Sequence, residues 1–158
     1  MIIVSDTSPI TNLLKIGRVN LLQQIFKEII IPEGVYEELI RIPSNKKQIE
    51  KISWIKKQKP KDEKLLNELL KILDRGESES IALALELKAE YLLIDERKGR
   101  KIANKYGITI TGILGVLRRA KLKGYIEKVK PLLDQLIKES GFRIHQKLYE
   151  EILKDVGE

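Results

Sequence analysis

The side chains in this sequence that can do chemistry are carboxylates. Asp6 follows the run Ile2-Ile3-Val4-Ser5, and further acids stand at Glu37-Glu38, at Glu77 and Glu79, and at Asp95-Glu96 after Leu92-Leu93-Ile94. There are no cysteines and a single histidine, His145. Thiolate chemistry and polyhistidine zinc sites are therefore excluded, and covalent or histidine-based catalysis has little to draw on. Gathered carboxylates raise one another's pKa. A hard divalent cation removes that penalty, and oxygen-only donors suit Mg²⁺, Mn²⁺ or Ca²⁺. Such an ion can acidify water and steady an in-line attack on a phosphodiester, so Mg or Mn is the expected cofactor.

Those acids can meet only if the chain carries them to one place. Ile2, Ile3 and Val4 read as a short buried strand, and Ser8-Pro9 as a helix start with Ser8 as N-cap. Further strands are expected at Glu28–Ile31, Ser53–Ile55, Tyr91–Ile94 and Ile108–Ile110. Helical spacing fills the intervals, through Leu13 and Leu14, Val35 and Leu39, Leu65 to Leu73, Ile81 to Leu85, Arg97 to Tyr106, and Thr111 to Lys123. Asp62 is placed to cap one helix, while Asp74-Arg75-Gly76 reads as the close of that helix before Glu77 opens the next. Strand–helix alternation with long crossovers predicts an α/β fold with a central parallel sheet covered on both faces. At the carboxyl edge of such a sheet, strand ends and helix starts converge, which is where ligands bind. Asp6, held by the first strand, is the natural anchor. The hydroxyls of Thr7 and Ser8 are placed to orient it or to meet a phosphate.

The 158 residues suit one domain, with a boundary near 128: residues 1–128 carry the sheet, and residues 129–158 read as a C-terminal helical extension packed on it. In that extension Leu132, Leu133, Leu136 and Ile137 form an apolar stripe, for core packing or for a partner surface. The formal net charge of +7 favours an anionic partner, with nucleic acid the first candidate. Arg97, Lys98 and Arg100 lie beside the last acid pair and are candidate substrate-binding residues. Residues 41–61, rich in lysine and broken by Pro43-Ser44-Asn45 and Pro60, read as a solvated connection or a phosphate-contacting flank. No apolar run approaches the ~20 residues a membrane span needs. The first strand leaves no room for a signal peptide, so a cytoplasmic location is expected.

Five segments in order resemble the PIN-domain family: Val4 to Pro9, Ile31 to Leu39, Asp74 to Ala84, Leu92 to Arg100, and Thr111 to Leu117. The likeness covers nearly the whole chain and is in particular to small prokaryotic members with an added C-terminal helical segment. It implies a three-layer α/β/α sandwich and a metal-dependent ribonuclease, often the toxin of a toxin–antitoxin pair and often a homodimer. An antitoxin protein is then an implied partner. By motif, Asp6 is the first family acid, Glu38 the second and Glu79 the third, and either Asp95 or Glu96 is the fourth. The hydroxyl residue common before the fourth acid is replaced by Ile94.

The alternative reading is a catalytically weak PIN-like module that binds RNA or protein without cutting. An aspartyl-phosphate mechanism is disfavoured because Ser8, not a second aspartate, stands two residues after Asp6. Dinucleotide binding is disfavoured because no G-x-G-x-x-G follows the first strand.

Overall fold

Strand β1 (Ile3–Ser5) is buried along its whole length because other strands flank it on both sides. In the computed structural model, which describes residues 1–158, Val4 pairs with Ile30 of β2 (Ile29–Ile31). On the other side Ile3, Val4 and Ser5 run in register with Tyr91, Leu92 and Leu93 of β4 (Tyr91–Leu93). The edge strands are β3 (Ile55–Lys57) and β5 (Ile110–Thr111). The sheet is all parallel in the order β3-β2-β1-β4-β5. Alternate residues of one strand supply opposite faces. Ile3 and Leu93 enter one apolar core, while Val4, Leu92 and Ile94 enter the other.

The helices fill both faces, giving the three-layer α/β/α arrangement expected. The first core takes buried side chains from α1 (Thr7–Lys15), α2 (Asn20–Phe26), α3 (Glu33–Ile40) and α8 (Ile113–Leu122). It also takes Leu132, Leu133 and Leu136 of α9 (Lys130–Glu139) and Leu153 of α10 (Gln146–Asp155). The second core lies under α5 (Glu63–Leu70), α6 (Arg75–Leu87) and α7 (Arg97–Lys105). The chain thus leaves β1 toward one face, through α1, and leaves β4 toward the other, through α7. Between two adjacent parallel strands whose exits part in this way lies the topological switch point, a crevice beyond their carboxyl ends.

Four local expectations are corrected. Asp6, not Ser8, occupies the N-cap position of α1, with extended backbone and no side-chain capping bond, so its carboxylate is not used up in holding the helix. Asp74 caps α6 rather than closing the preceding helix: its carboxylate accepts from the Glu77 backbone N–H at 2.8 Å, and α6 starts at Arg75. Pro43-Ser44-Asn45 opens a helix, α4 (Pro43–Glu50), because proline at a first turn loses no hydrogen bond; Asn45 and Ile49, one turn apart, face inward. The third strand lies two residues later than Ser53–Ile55. Pairing of Ile29 with Ile55 and of Ile31 with Lys57 sets its register, and an edge strand tolerates the exposed Lys56 and Lys57.

Leu133 has no exposed surface. Replacing it with alanine should lower stability by about 2–5 kcal/mol. Urea unfolding should stay a single transition, since the helices after residue 129 share a core with β1; a separate early transition would contradict that.

Candidate active site

The Asp6 backbone N–H donates to the Leu93 carbonyl at 2.8 Å, extending the β1–β4 ladder by one rung and fixing the residue at the switch point. Its side chain is only 5% exposed. Burial pushes the Asp6 carboxyl up to about 7, and the charges of Asp74, Glu38 and Asp95 push the same way against the Thr7 backbone N–H.

Glu38, in the second turn of α3, and Asp6 meet over the first turn of α6. A Cβ added at Gly76 would stand 2.6 Å from Glu38 Oε1 and 3.5 Å from Asp6 Oδ1. Only a residue without a side chain leaves both carboxylates room there. One residue on, Glu77 is buried, and burial pushes its carboxyl up to about 8; a hydrogen bond with Asp74 and the charges of Asp74, Asp6 and Glu96 add to this. Glu77 Oε2 has no hydrogen-bond partner and lies where a Cβ on Gly99, in the first turn of α7, would come within 2.6 Å. Asp6, Glu38, Asp74, Glu77 and Glu96 therefore form one field of negative charge. The positive ends of α1, α6 and α7 open onto it, which offsets part of the repulsion.

The other acid of the Glu77/Glu79 pair is otherwise engaged. Glu79 is buried, accepting from the Gly34 backbone N–H at 3.1 Å and from Arg75 Nε at 2.6 Å. Arg75 also pairs with Glu37. Glu79 thus latches α6 onto α3, one turn before Glu38. The pair after Ile94 is divided as well. Asp95 Oδ1 accepts from the Ile113 backbone N–H at 3.0 Å, at the start of α8, while Oδ2 is buried without a partner. Burial raises its pKa, with Arg100 acting against that. Glu96 is exposed at the N-cap position of α7, makes no capping bond, and bears electrostatically on Glu77.

Of the substrate-binding candidates, Thr7 and Ser8 line a cavity of about 510 Å³ with Thr11, Lys15, Glu38 and Arg41. Thr7 Oγ1 is buried and unpartnered. Arg97 and Lys98 are exposed in the first turn of α7, whereas Arg100 donates to the Ile94 carbonyl at 2.8 Å. The family likeness assigns no role to Asp74 or Glu77, though Glu77 stands among the candidate acids at a helix start. The Asp74-x-x-Glu77 spacing, a capping-box pattern, is the signal that places Asp74 at the same helix start as its cap.

An oxygen-only donor set with an unpaired buried carboxylate oxygen on Glu77, and with the Asp6 and Glu77 carboxyls pushed up to about 7 and about 8, fits a hard divalent cation. No three Asp, Glu or His side chains converge closely enough to form an ion site as they stand. No helix is long and apolar enough to cross a membrane. A family model described as a PIN domain matches residues 2–158. No curated protein matches the chain.

Two outcomes follow from this geometry. Gly76→Ala should fold without loss of thermal stability, because alanine favours the helix and the crowded atom is the free end of Glu38. It should still displace Glu38 and weaken Mn²⁺ binding about tenfold or more by calorimetry. The second concerns pH. Asp6 near 7 and Glu77 near 8 make the folded chain bind more protons than the unfolded one between about pH 4 and about pH 8. Their contribution to stability is complete below that range and is lost as pH rises through 7 to 8. The melting temperature of the metal-free protein should therefore fall between about pH 5 and pH 8, and Mn²⁺ should raise it more at the upper end. Scanning calorimetry at three pH values reads both.

Proposed function

Because the chain belongs to the PIN-domain family, whose fold is nuclease-like, we propose that it is a Mg²⁺- or Mn²⁺-dependent endoribonuclease working at the Asp6 cluster. One observation carries the reading. Asp6, fixed by a buried strand, meets Glu38 over Gly76, with Glu77 and its unpaired oxygen one residue further along α6. The residues that would hold the ion are Asp6, Glu38, Glu77 and Glu96, with Asp74 behind them. When bound, such an ion lowers the pKa of water and offsets the charge that builds on the phosphate oxygens.

The chain's own groups do the rest. Asp6 sets the position of the centre because its backbone is part of the sheet. Glu77, whose carboxyl is pushed up to about 8 by burial and by the neighbouring Asp74, holds a proton beside the centre. The exposed Arg97 and Lys98 meet the phosphate on one side of the cut. Lys15 and Arg41, with the Thr7 and Ser8 hydroxyls, line the cavity on the other side. Both flanks are cationic, as a polyanion entering an acidic centre requires. Service as the toxin of a toxin–antitoxin pair, and assembly as a homodimer, are proposals that rest on the family likeness.

A second reading has its own observation: the acids do not converge on one point as they stand, and Ile94 offers no hydroxyl beside Asp95. A PIN-like module that binds RNA without cutting it would share both features. Cleavage of single-stranded RNA with Mn²⁺ separates the two. The nuclease reading expects Asp6→Asn to lose about a hundredfold or more in rate and to keep RNA affinity within about threefold. Wild-type protein that binds RNA and cuts none with either ion would leave the second reading standing.

A further inference from the structure

Between the start of α8 and residues 142–148, which lead into α10, lies a cavity of about 450 Å³ that the Asp6 cluster does not use. Leu114 and the half-buried Phe142 give it apolar walls, and Leu148, 41% exposed, leaves a leucine face uncovered at its rim. The exposed Arg143 borders it, as does Arg100, whose guanidinium also donates to the Ile94 carbonyl, and neither closes a salt bridge with a carboxylate. Asp95 also lines it, with an oxygen that has no donor. The cavity is next to the proposed reacting centre: Ser5 and Leu93 are register partners, so Asp95 follows β4 much as Asp6 follows β1.

An occupant that satisfies all of these groups has an apolar face for Phe142 and the leucines, negative charge for two guanidinium groups, and a polar donor for Asp95. A nucleotide of unpaired RNA has all three: the face of its base, its phosphate, and an amino or ring N–H. Aromatic and arginine side chains take up unstacked bases in this manner, and a base held in a duplex could not enter. We infer that this groove seats the base of a nucleotide flanking the acidic cluster, so that residues 142–148 form a base-binding subsite beside it. The inference rests on the RNA-directed reading above and extends it to a base-binding subsite.

The test is binding, read by fluorescence anisotropy on the Asp6→Asn protein, with an RNA oligonucleotide in which one abasic site is moved along the chain. Removing the base at one position should weaken binding about tenfold, in the range of one base stacked on an aromatic side chain. Phe142→Ala should weaken binding of the intact oligonucleotide by a similar factor and should abolish the response to the abasic site. Arg143→Ala and Leu148→Asn, at exposed side chains that the fold does not need, should each reduce that response, so the outcome is readable even if Phe142→Ala misfolds. No sensitive position, a response undiminished in all three variants, or equal affinity for duplex RNA would overturn the inference. RNA affinity unchanged in every variant would overturn it too and would point to a protein segment as the occupant. Because binding is measured without cleavage, a wild-type protein that cuts nothing would fell the nuclease reading while these arms still decided the groove.

Discussion

The structure turns on the burial of one carboxyl group. Asp6 is held at the end of the most enclosed strand, where solvation is poor and other acids crowd it. Such an arrangement is costly unless something compensates. Two things do. Helices α1, α6 and α7 begin around the cluster and turn their positive ends toward it. Burial also pushes the Asp6 and Glu77 carboxyls up to about 7 and about 8, so at neutral pH the cluster carries less negative charge than its sequence implies. The fold builds a place where negative charge is unwelcome.

Everything that positions the other acids is subordinate to that point. Glu38 depends on the setting of α3, which depends on Glu79 holding the Gly34 N–H in its first turn and on Arg75 pairing with Glu37. Glu77 depends on where α6 starts, which Asp74 sets. The second acid and the Glu77–Asp74 pair thus owe their places to interactions made along one helix.

Much of this could be read from the chain. Buried parallel strands give unbroken apolar runs, so Ile3-Val4 and Leu92-Leu93 announced themselves, and the carboxylates after them fell at the sheet edge for topological reasons. The choice between Glu77 and Glu79 could not be made that way. Two residues on a helix are separated by about 200°, so only one can face a given neighbour. Which one depends on the start of α6, and Asp74 reads equally well as the end of one helix or the cap of the next. The motif favoured Glu79, which the structure places against Gly34 and Arg75. Likewise Asp95 and Glu96 point to different neighbours because one caps α8 and the other opens α7, a fact about crossovers rather than spacing. The groove near Phe142 had no sequence signal at all, since it is made by residues far apart in the chain.

Gly76 and Gly99 each sit in the first turn of a helix, where alanine would serve the helix better by up to about 1 kcal/mol. At Gly99 that gain is closed off, because a Cβ would meet the buried Ile94 side chain at 2.7 Å as well as the Glu77 carboxylate. At Gly76 only the free end of Glu38 stands closer than 3 Å to where a Cβ would go. There the chain forgoes stability that is open to it and keeps its acids close to the helix backbone. A lineage selected for heat resistance alone would fill position 76 early and push the acids apart without losing the fold.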